Sequence, residues 1–588
     1  MKKNGLLVFI ALFIMVSIFK PASFSANEEE SDNPTSDEIE NFEVGETLPE
    51  DHVFTTMDEA GNIVEYDVSE LEEETMAEMT AQARMRTITT YADISVGVVN
   101  FKTKASTVNT LYTEDGTNRS GYTNGYYAAD GAFLGYNSDR SKVKFMQAGV
   151  IGWVNAVDVQ VLDYNNTNQV KSVNHYRSNN GTIYHYGTNN ISGNTYWMST
   201  QVGPRQSYMQ DNVTYYSYDG HYFYRTYAQM INDYKAGTRK NSINPNNPYY
   251  NYYQYLSHRT KTNFSAANFD SFLLTKTNNT SKMNQLGNSF IQNQNTYGVN
   301  ASLSYGVAAN ESAWGQSAIA KNRNNIFGHA AYDSDPSGNA TGYSSPAFSV
   351  YHHAKVFISE GYLDTKDYSG RYYGSHLGDK ASGVNVKYAS DPYWGEKAAA
   401  ISWQMNNTYN VGDAGKYTIA IKAKGINLNV RKDPNSSSTA MYQTGNAGDY
   451  PFVILGSVSG ETINGSNVWY KIQSDTTLNA NRTGITQDKG EYDYNNYYGY
   501  IHSSYVSIVN TGSGGNSGNG SGSTTLGDVS GDGKISAMDY VLVKNHILKV
   551  QTLNSNQTTS ADVNKDGKIS ALDYVAIKNH ILNISKIK

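Results

Sequence analysis

Two twelve-residue loops rich in side-chain oxygen, repeated 34 residues apart near the C-terminus, restrict this chain more than any other feature. The first runs Asp528-Val529-Ser530-Gly531-Asp532-Gly533-Lys534-Ile535-Ser536-Ala537-Met538-Asp539, the second Asp562-Val563-Asn564-Lys565-Asp566-Gly567-Lys568-Ile569-Ser570-Ala571-Leu572-Asp573. Each puts oxygen-bearing side chains at loop positions 1, 3, 5, 9 and 12, and glycine at position 6, where the backbone must turn sharply. Such a loop wraps a hard cation that demands about six to eight oxygens, so two calcium ions are expected. Metal-free turns of Asp and Gly are the alternative, and self-similarity at a fixed period argues against them.

The twelfth loop residue is Asp rather than Glu in both loops, and an Asn-His-Ile-Leu segment follows each (Asn545 to Leu548, Asn579 to Leu582). Over about 526–587 the chain resembles the dockerins, cellulosome-type modules that fold on two calcium ions and bind a cohesin. The resemblance implies an all-α EF-hand-like fold. It implies that Asp528, Ser530, Asp532 and Asp539 bind one ion and Asp562, Asn564, Asp566 and Asp573 the other, with Lys534 and Lys568 offering backbone carbonyls. Ser530 departs from the usual Asn or Asp, which implies a weaker first site. Partner choice in the family rests on loop positions 10 and 11, here the apolar Ala537-Met538 and Ala571-Leu572, so the implied partner is a cohesin-bearing protein other than a cellulase scaffold.

A chain of 588 residues exceeds what one hydrophobic core supports, so several domains are expected. Residues 1–25 read as a signal peptide: Lys2 and Lys3, an apolar run from Gly5 to Phe19, then Pro21 and a small-residue region around Ser23 and Ser25. Nothing later is long and apolar enough to span a membrane, and a secreted, cell-wall-associated protein is expected. With no cysteine, disulfides, thiolate metal sites and a Cys nucleophile are excluded. The net charge of −8 hides an asymmetry, because 20 Asp and Glu and no Lys or Arg lie between Asn27 and Ala83. From Arg84 onward 43 bases face 34 acids, a mild excess without the dense basic clusters of a nucleic-acid binder.

Composition divides the rest. Residues 26–93 read as an acidic tether or pro-region. Residues 94–165 show short Val/Thr/Tyr-rich strands broken by Gly, Asn and Asp, and 166–262 form a second β-rich stretch. Residues 263–410 turn helical and are the candidate catalytic domain; strands return over 416–510; 511–524 are a flexible Gly/Ser linker ahead of 525–588.

In the helical stretch, Leu303, Val307, Glu311 and Trp314 follow helical spacing, which puts Glu311 on a face expected to be buried. A desolvated carboxylate holds its proton to higher pH, as a general acid for glycosidic oxygen requires, with Trp314 as apolar cover. A last-turn Glu escaping to solvent past Gly315 is the alternative. Asp333 and Asp335 are candidates for the second carboxylate of glycoside hydrolysis, or turn residues; an N-acetyl substrate also permits its own acetamido oxygen to attack. Asp391, ahead of Pro392, reads as a helix cap. The 49 tyrosines, many in polar clusters, suit sugar faces or simply sheet propensity.

The blocks Tyr305 to Gly315, Asn324-Asn325-Ile326-Phe327-Gly328 and Tyr388 to Lys397 resemble, in this order, the bacterial glucosaminidases of glycoside hydrolase family 73. The resemblance implies a lysozyme-like α+β fold, Glu311 as catalytic acid, no catalytic cofactor, and substrate contacts from Trp314, Asn325, Phe327, Tyr388 and Trp394. Residues 416–509 resemble bacterial SH3-like wall-binding modules, 94–162 more weakly, and 166–262, with Tyr215 to Gly220 and Tyr249 to Tyr253, the groove modules of pneumococcal-type wall glucosaminidases. The whole reads as a multidomain endo-acting N-acetylglucosaminidase on peptidoglycan. A glucosaminidase acting on glycoprotein N-glycans and a non-catalytic wall adhesin are the alternatives, and retention of Glu311 with its flanking motif argues against the adhesin.

Folding and metal binding are coupled in small calcium domains, so chelation is expected to unfold the chain after Leu526 and leave hydrolysis untouched. Calorimetry should show one calcium-dependent transition beside others that do not move. Loss of hydrolysis on truncation at Gly512 would contradict this organisation.

Overall fold

The computed structural model describes residues 94–105, 108–194, 196–277, 279–329, 342–366, 370–486, 490–512, 526–529, 535, 537–548, 553, 555–582 and 584–587, with the backbone of two paired strands, Val53–Met57 and Ile63–Asp67. The signal segment, the acidic segment apart from those strands, the linker from 513, and Asp333, Asp335, Ser530, Asp532 and Lys534 lie outside the described residues.

Seven strands between Gly97 and Asp163, and seven between Thr418 and Asn510, form two antiparallel sheets of one plan. With strands numbered within each sheet, both have the order 3-2-6-5-4-1-7. Both insert a 3-10 turn, Ala156–Asp158 and Ser503–Tyr505, between the sixth and seventh strands. The sixth strands share a reading: Gly152-Trp153-Val154 and Gly499-Tyr500-Ile501 each alternate buried and half-buried residues, and Val159 and Val506 follow at the same interval. Alternation of this kind makes a sheet with one face on a core.

The N-terminal sheet unit packs directly on the helical stretch. Tyr122 donates to the Lys387 carbonyl, Asn124 N to the Ser390 carbonyl, and Arg119 to the carbonyls of Lys380 and Ala381. Between the two sheets in sequence, strands His175–Asn179, Thr182–Gly187, Met198–Pro204 and Thr214–Tyr215 form a four-stranded antiparallel sheet. The helix Tyr227–Lys235 adds Tyr227, Met230, Ile231 and Tyr234 to the core shared with the N-terminal unit. At the other side Arg259, 1 % exposed, reaches the Asp475 carbonyl of the C-terminal sheet unit, the Tyr297 carbonyl and Ser359. A guanidinium so deep in the protein is tolerable only because its donors meet acceptors.

The regular structure in 263–410 is helical, and among the described residues no strand occurs there. Among the described residues the β component expected of this stretch comes from the sheets packed around it. The helices include α1 (Ala266–Lys276), α2 (Gly287–Tyr297), α3 (Ala301–Glu311), α4 (Ala318–Arg323), α5 (Pro346–His352), continued by a π-helix His353–Tyr362, and α6 (Trp394–Tyr409). A reciprocal Ser265/Asn268 capping box starts α1, and the Asn300 side chain starts α3 by accepting from the amides of Ser302 and Leu303. In α3 every residue from Ala301 to Asn310 is buried, so the helix is enclosed on all sides rather than amphipathic. It crosses α6 at Gly306, where an added Cβ would stand 2.4 Å from the Ala398 carbonyl oxygen, and Ser402 Oγ donates to the Ser302 carbonyl at 3.0 Å.

In the C-terminal domain, α7 (Ala537–Ile547) and α8 (Ala571–Ile581) occupy equivalent places in the repeat and pack through Val543 and Ile577, with Tyr540 stacked on Tyr574. In the second loop Asp562 accepts from the amides of Asp566 and Gly567, Asn564 Oδ1 from Asp566, Asp566 Oδ1 from Lys568, and Asp573 from the Asn564 and Ser570 amides. Gly567, at φ +80°, makes the turn required at position 6. Of the ligands expected in the first loop, Asp528 and the fully buried Asp539 are described.

Gly306→Ala tests the α3–α6 contact. Overpacking against a backbone carbonyl should cost about 1–3 kcal/mol, although Ala is worth about 1 kcal/mol more than Gly in a helix. Denaturant unfolding that shows an unchanged or stabilised variant would refute the close approach.

Candidate active site

Glu311 is the last residue of α3 and is half-buried. The turn after it is unusual: Ala313, Trp314 and Gly315 follow one another at φ +46°, +59° and +73°. Two non-glycine residues in the left-handed region cost of order 1–3 kcal/mol each and need support from their surroundings. Gly315 N donates to Ser312 Oγ at 2.7 Å, Ser281 Oγ donates to the Trp314 carbonyl at 2.5 Å, and the Trp314 ring packs edge-on against Phe272 and Tyr305. The turn closes against 281–283, where an added Cβ on Gly315 would lie 2.6 Å from Ser281 Oγ and 2.7 Å from Met283 N. The chain thus stops α3 at Glu311 and sends Trp314 inward.

The tryptophan that holds the carboxylate is Trp394, whose indole N–H donates to Glu311 Oε1. Its ring stacks on Tyr388 at 4.5 Å, and Tyr388 Oη donates to the Phe327 carbonyl at 3.3 Å. The C-terminal end of a helix dipole opposes negative charge, and the indole donor counters it at one oxygen. Trp394 opens α6 without a side-chain cap, its N-cap position being Tyr393; Asp391 does not cap the helix as expected but closes the turn ahead of it, its Oδ1 accepting from Tyr393 N at 2.9 Å. Its Oδ2 accepts from Lys397 Nζ at 2.5 Å in a pair exposed by only 6 % and 1 %. One turn of α6 therefore aims both the acid's donor and a buried ion pair.

The remaining residues expected to touch sugar form the wall behind the acid. Asn325, Phe327, Tyr388, Trp394 and Trp314 are all buried, at 1, 0, 2, 2 and 3 % exposure. Asn325 shapes its own loop: Oδ1 accepts from the amides of Phe327 and His329, and Nδ2 donates to the His329 carbonyl. Phe327 stacks on His353 at 3.7 Å. None presents an open ring face, because the loop 325–329 packs inward on the π-helix.

The sequence reading missed the group beneath this wall. His329 Nδ1 meets Tyr343 Oη at 2.7 Å, its Nε2 meets His353 Nδ1 at 3.2 Å, and Tyr343 Oη meets His352 Nδ1 at 3.0 Å. Burial holds His329 and His353 well below the usual imidazole range and His352 down to about 4, so the cluster is neutral at physiological pH. The adjacent pair His352-His353 was the available signal. Among the described residues no group of three or more His, Asp or Glu is placed to hold a metal, and in the second C-terminal loop the carboxylates turn to backbone amides. The donors of the second loop are nonetheless all oxygen and gathered on one turn, a set that suits a hard cation.

With this geometry in place, two stretches match known families: 287–407 the family described as mannosyl-glycoprotein endo-beta-N-acetylglucosaminidase, and 526–582 the dockerin type I domain. The chain carries a glucosaminidase domain of the glycoside hydrolase class and a C-terminal dockerin. Two relatives from Streptococcus pneumoniae, one of serotype 4, are provisionally named endo-beta-N-acetylglucosaminidase. Each is 30% identical over 300 residues, 50% of this chain and 39% or 36% of the relative, so the chain spans under two fifths of their length. Among solved structures, a catalytic mutant of S. aureus autolysin E with the disaccharide NAG-NAM aligns at 21% identity over 28% of this chain and 75% of that one, with a TM-score of 0.23. The same autolysin with a muropeptide aligns at 22% identity over 27% and 73%, with a TM-score of 0.22.

Two substitutions separate aim from stability. Trp394→Phe keeps the stacking on Tyr388 and removes the donor; turnover should fall roughly tenfold or more, since small misplacements of a catalytic group are costly, with a stability change under about 2 kcal/mol. Asp391→Ala leaves the buried Lys397 ammonium without its carboxylate and should cost about 3–5 kcal/mol in chemical denaturation. Full activity in the first variant would remove Trp394 from the site.

Proposed function

We propose that this chain is a secreted endo-β-N-acetylglucosaminidase that hydrolyses the β-1,4 bond following N-acetylglucosamine in peptidoglycan, with Glu311 as general acid. The observation that carries the reading is the half-buried Glu311 carboxylate, fixed by the strained turn behind it and held by the Trp394 indole. A positioned acid of this kind protonates the departing glycosidic oxygen. Asp333 or Asp335 then activates water or attacks, or the substrate's acetamido oxygen does so in their place. The family description and the names of the pneumococcal relatives support the reaction class. Two β-sheet units of one plan, which resemble wall-binding modules, support the wall as substrate.

The dockerin is the tether to a cohesin-bearing partner. Asp528, Ser530, Asp532 and Asp539, and Asp562, Asn564, Asp566 and Asp573, with the carbonyls of Lys534 and Lys568, would hold two calcium ions whose role is to fold the domain. A second reading, cleavage of the chitobiose core of N-glycans, is favoured by the wording of the family match.

Glu311→Gln is nearly isosteric and removes only the transferable proton, so turnover should fall at least about a hundredfold while the fold and wall binding persist. Residual activity above about a tenth rejects the assignment. Digested wall reduced with borohydride should yield glucosaminitol. Muramitol would make the chain a muramidase, an anhydro-sugar end a lytic transglycosylase, and release of N-glycans without wall fragments would establish the second reading.

A further inference from the structure

The alternation of the four-stranded sheet gives it two unlike faces. Tyr176 and His185 point toward α6, where Tyr176 Oη donates to Glu396 Oε2 at 3.2 Å and His185 Nδ1 meets Glu396 Oε1 at 2.7 Å. Their neighbours His175, Tyr184 and Tyr186 therefore lie on the opposite face, turned from the helix that aims the acid. On that outer face a cleft of about 650 Å³ opens, with Tyr164, His175, Tyr196 and Tyr216 among its walls. The other cavity, between Glu396, Tyr255 and Asp379, has room for about one water, some 20 Å³, and is no ligand site.

The aromatic groups of the outer face form a connected row. His175 lies parallel to Tyr186 at 5.0 Å, Tyr196 meets both edge-on at 4.8 and 6.2 Å, and Tyr184 lies 6.3 Å from Tyr186. The floor is rigid: Tyr164 stacks on Tyr227 at 4.1 Å, and its hydroxyl donates to that of Tyr216 at 3.2 Å. Tyr196 is 40 % exposed, and Tyr164, Tyr184, Tyr186 and Tyr216 are half-buried, so ring surface remains open beside the polar groups of Asn165, Thr167, Ser172 and Thr214.

We propose that this face is a second saccharide-binding site, taking a segment of β-1,4-linked N-acetylhexosamine chain at a distance from Glu311. Flat rings rimmed by hydroxyl and amide groups match the apolar faces and polar edges of pyranoses. The charge of the cleft selects among polymers. Among the described residues, Lys171 is the one cation in its lining and no carboxylate lies there. Arg177, also on this face, has its guanidinium on the Asn212 carbonyl at 3.3 Å. Burial brings His175 down to about 4, so it adds no charge at neutral pH. Single-stranded nucleic acid needs a track of cations along its phosphates, and a basic peptide needs carboxylates; a neutral or weakly anionic glycan needs neither. A strand held here stays tethered while another part of it meets Glu311, so long substrates gain over short ones. The ligand class follows from the cleft, and the benefit to cleavage rests on the catalytic reading above.

The experiment uses the full chain with calcium and N-acetylchitotetraose as probe, read by hydrogen exchange and calorimetric titration. Protection is expected over 164–175 and 184–196, in addition to any around 311. In Tyr184→Ala/Tyr196→Ala, both on the solvent side and outside the core, that protection should vanish and affinity at this face should drop about tenfold. Cleavage of a short soluble substrate should stay unchanged while that of long glycan strands slows. Absence of protection in the wild type, an unchanged affinity in the double variant, or equal protection by oligothymidylate overturns the proposal. If the face is protected and no bond is cut, the site stands and the catalytic reading falls; cleavage without protection gives the reverse.

Discussion

The first turn of α6 is the point on which the arrangement of the site depends. Within four residues, Trp394 donates to Glu311, Glu396 meets Tyr176 and His185 of the four-stranded sheet, and Lys397 pairs with Asp391 while lying 4.9 Å from the Trp197 ring. These side chains leave the helix in different directions, and Lys397 also lies 5.7 Å from the Tyr127 ring, so one rigid turn fixes the acid, the sheet and the N-terminal unit against one another. What holds the turn is the packing of α6 on α3 through Gly306, close enough that a methyl group has no space. A looser crossing would move the indole relative to the carboxylate, and catalytic groups tolerate little displacement.

The junctions between units follow a second rule. In a chain without cysteine, cross-links cannot hold the parts together, and here tyrosine hydroxyls on carboxylates fill that place. Tyr218 donates to Asp130, Tyr250 to Asp449, Tyr253 to Asp413, Tyr255 to Asp379 and Tyr176 to Glu396. Each pair joins segments far apart in sequence, and every acid but the half-buried Asp449 is buried. Burial still outweighs the donors at three of them, pushing Asp130 and Asp379 up to about 6 and raising Asp413. Such pairs supply direction and specificity more than net stability, since a hydrogen bond gained inside is exchanged for one lost to water.

These contacts explain which parts were legible in the sequence. The dockerin repeat could be read because its pattern is local: its oxygen side chains, its glycine and its helix follow within a dozen residues. Glu311 was found through a stripe of spacing that the structure does not contain, since α3 is buried all round; its neighbours in sequence carried the information. Trp314 was assigned the place that Trp394 holds, because spacing ranks residues near in sequence and the true partner comes from another helix 83 residues away. The tyrosine clusters were open to both a groove and a core reading, and Tyr215, Tyr218, Tyr249 and Tyr253 proved to be core. Their partners lie in distant segments, and composition does not register such pairing. The common plan of the two β-sheet units was available in the spacing from Gly152 to Val159 and from Gly499 to Val506, but the residues between differ enough to blur it.

The strained turn after Glu311 shows why two tryptophans near one acid have different work. Left-handed backbone at Ala313 is the usual close of a helix, with Trp314 N on the Ala309 carbonyl at 2.9 Å, but it is unfavourable in a residue other than glycine, and Trp314 adds a second such residue. Its effect is to end α3 at Glu311 and to drive Trp314 between Phe272 and Tyr305, where the ring acts as an anchor. With the backbone pinned from that side, the Glu311 side chain is left to be oriented from the other, and Trp394 does so with a single donor. Anchoring and aiming are thus separated: the core ring supplies the strain energy's counterweight through burial, and the second ring, on a different helix, sets the direction of the carboxylate. A single tryptophan serving both ends would couple every adjustment of the acid to the packing of the core.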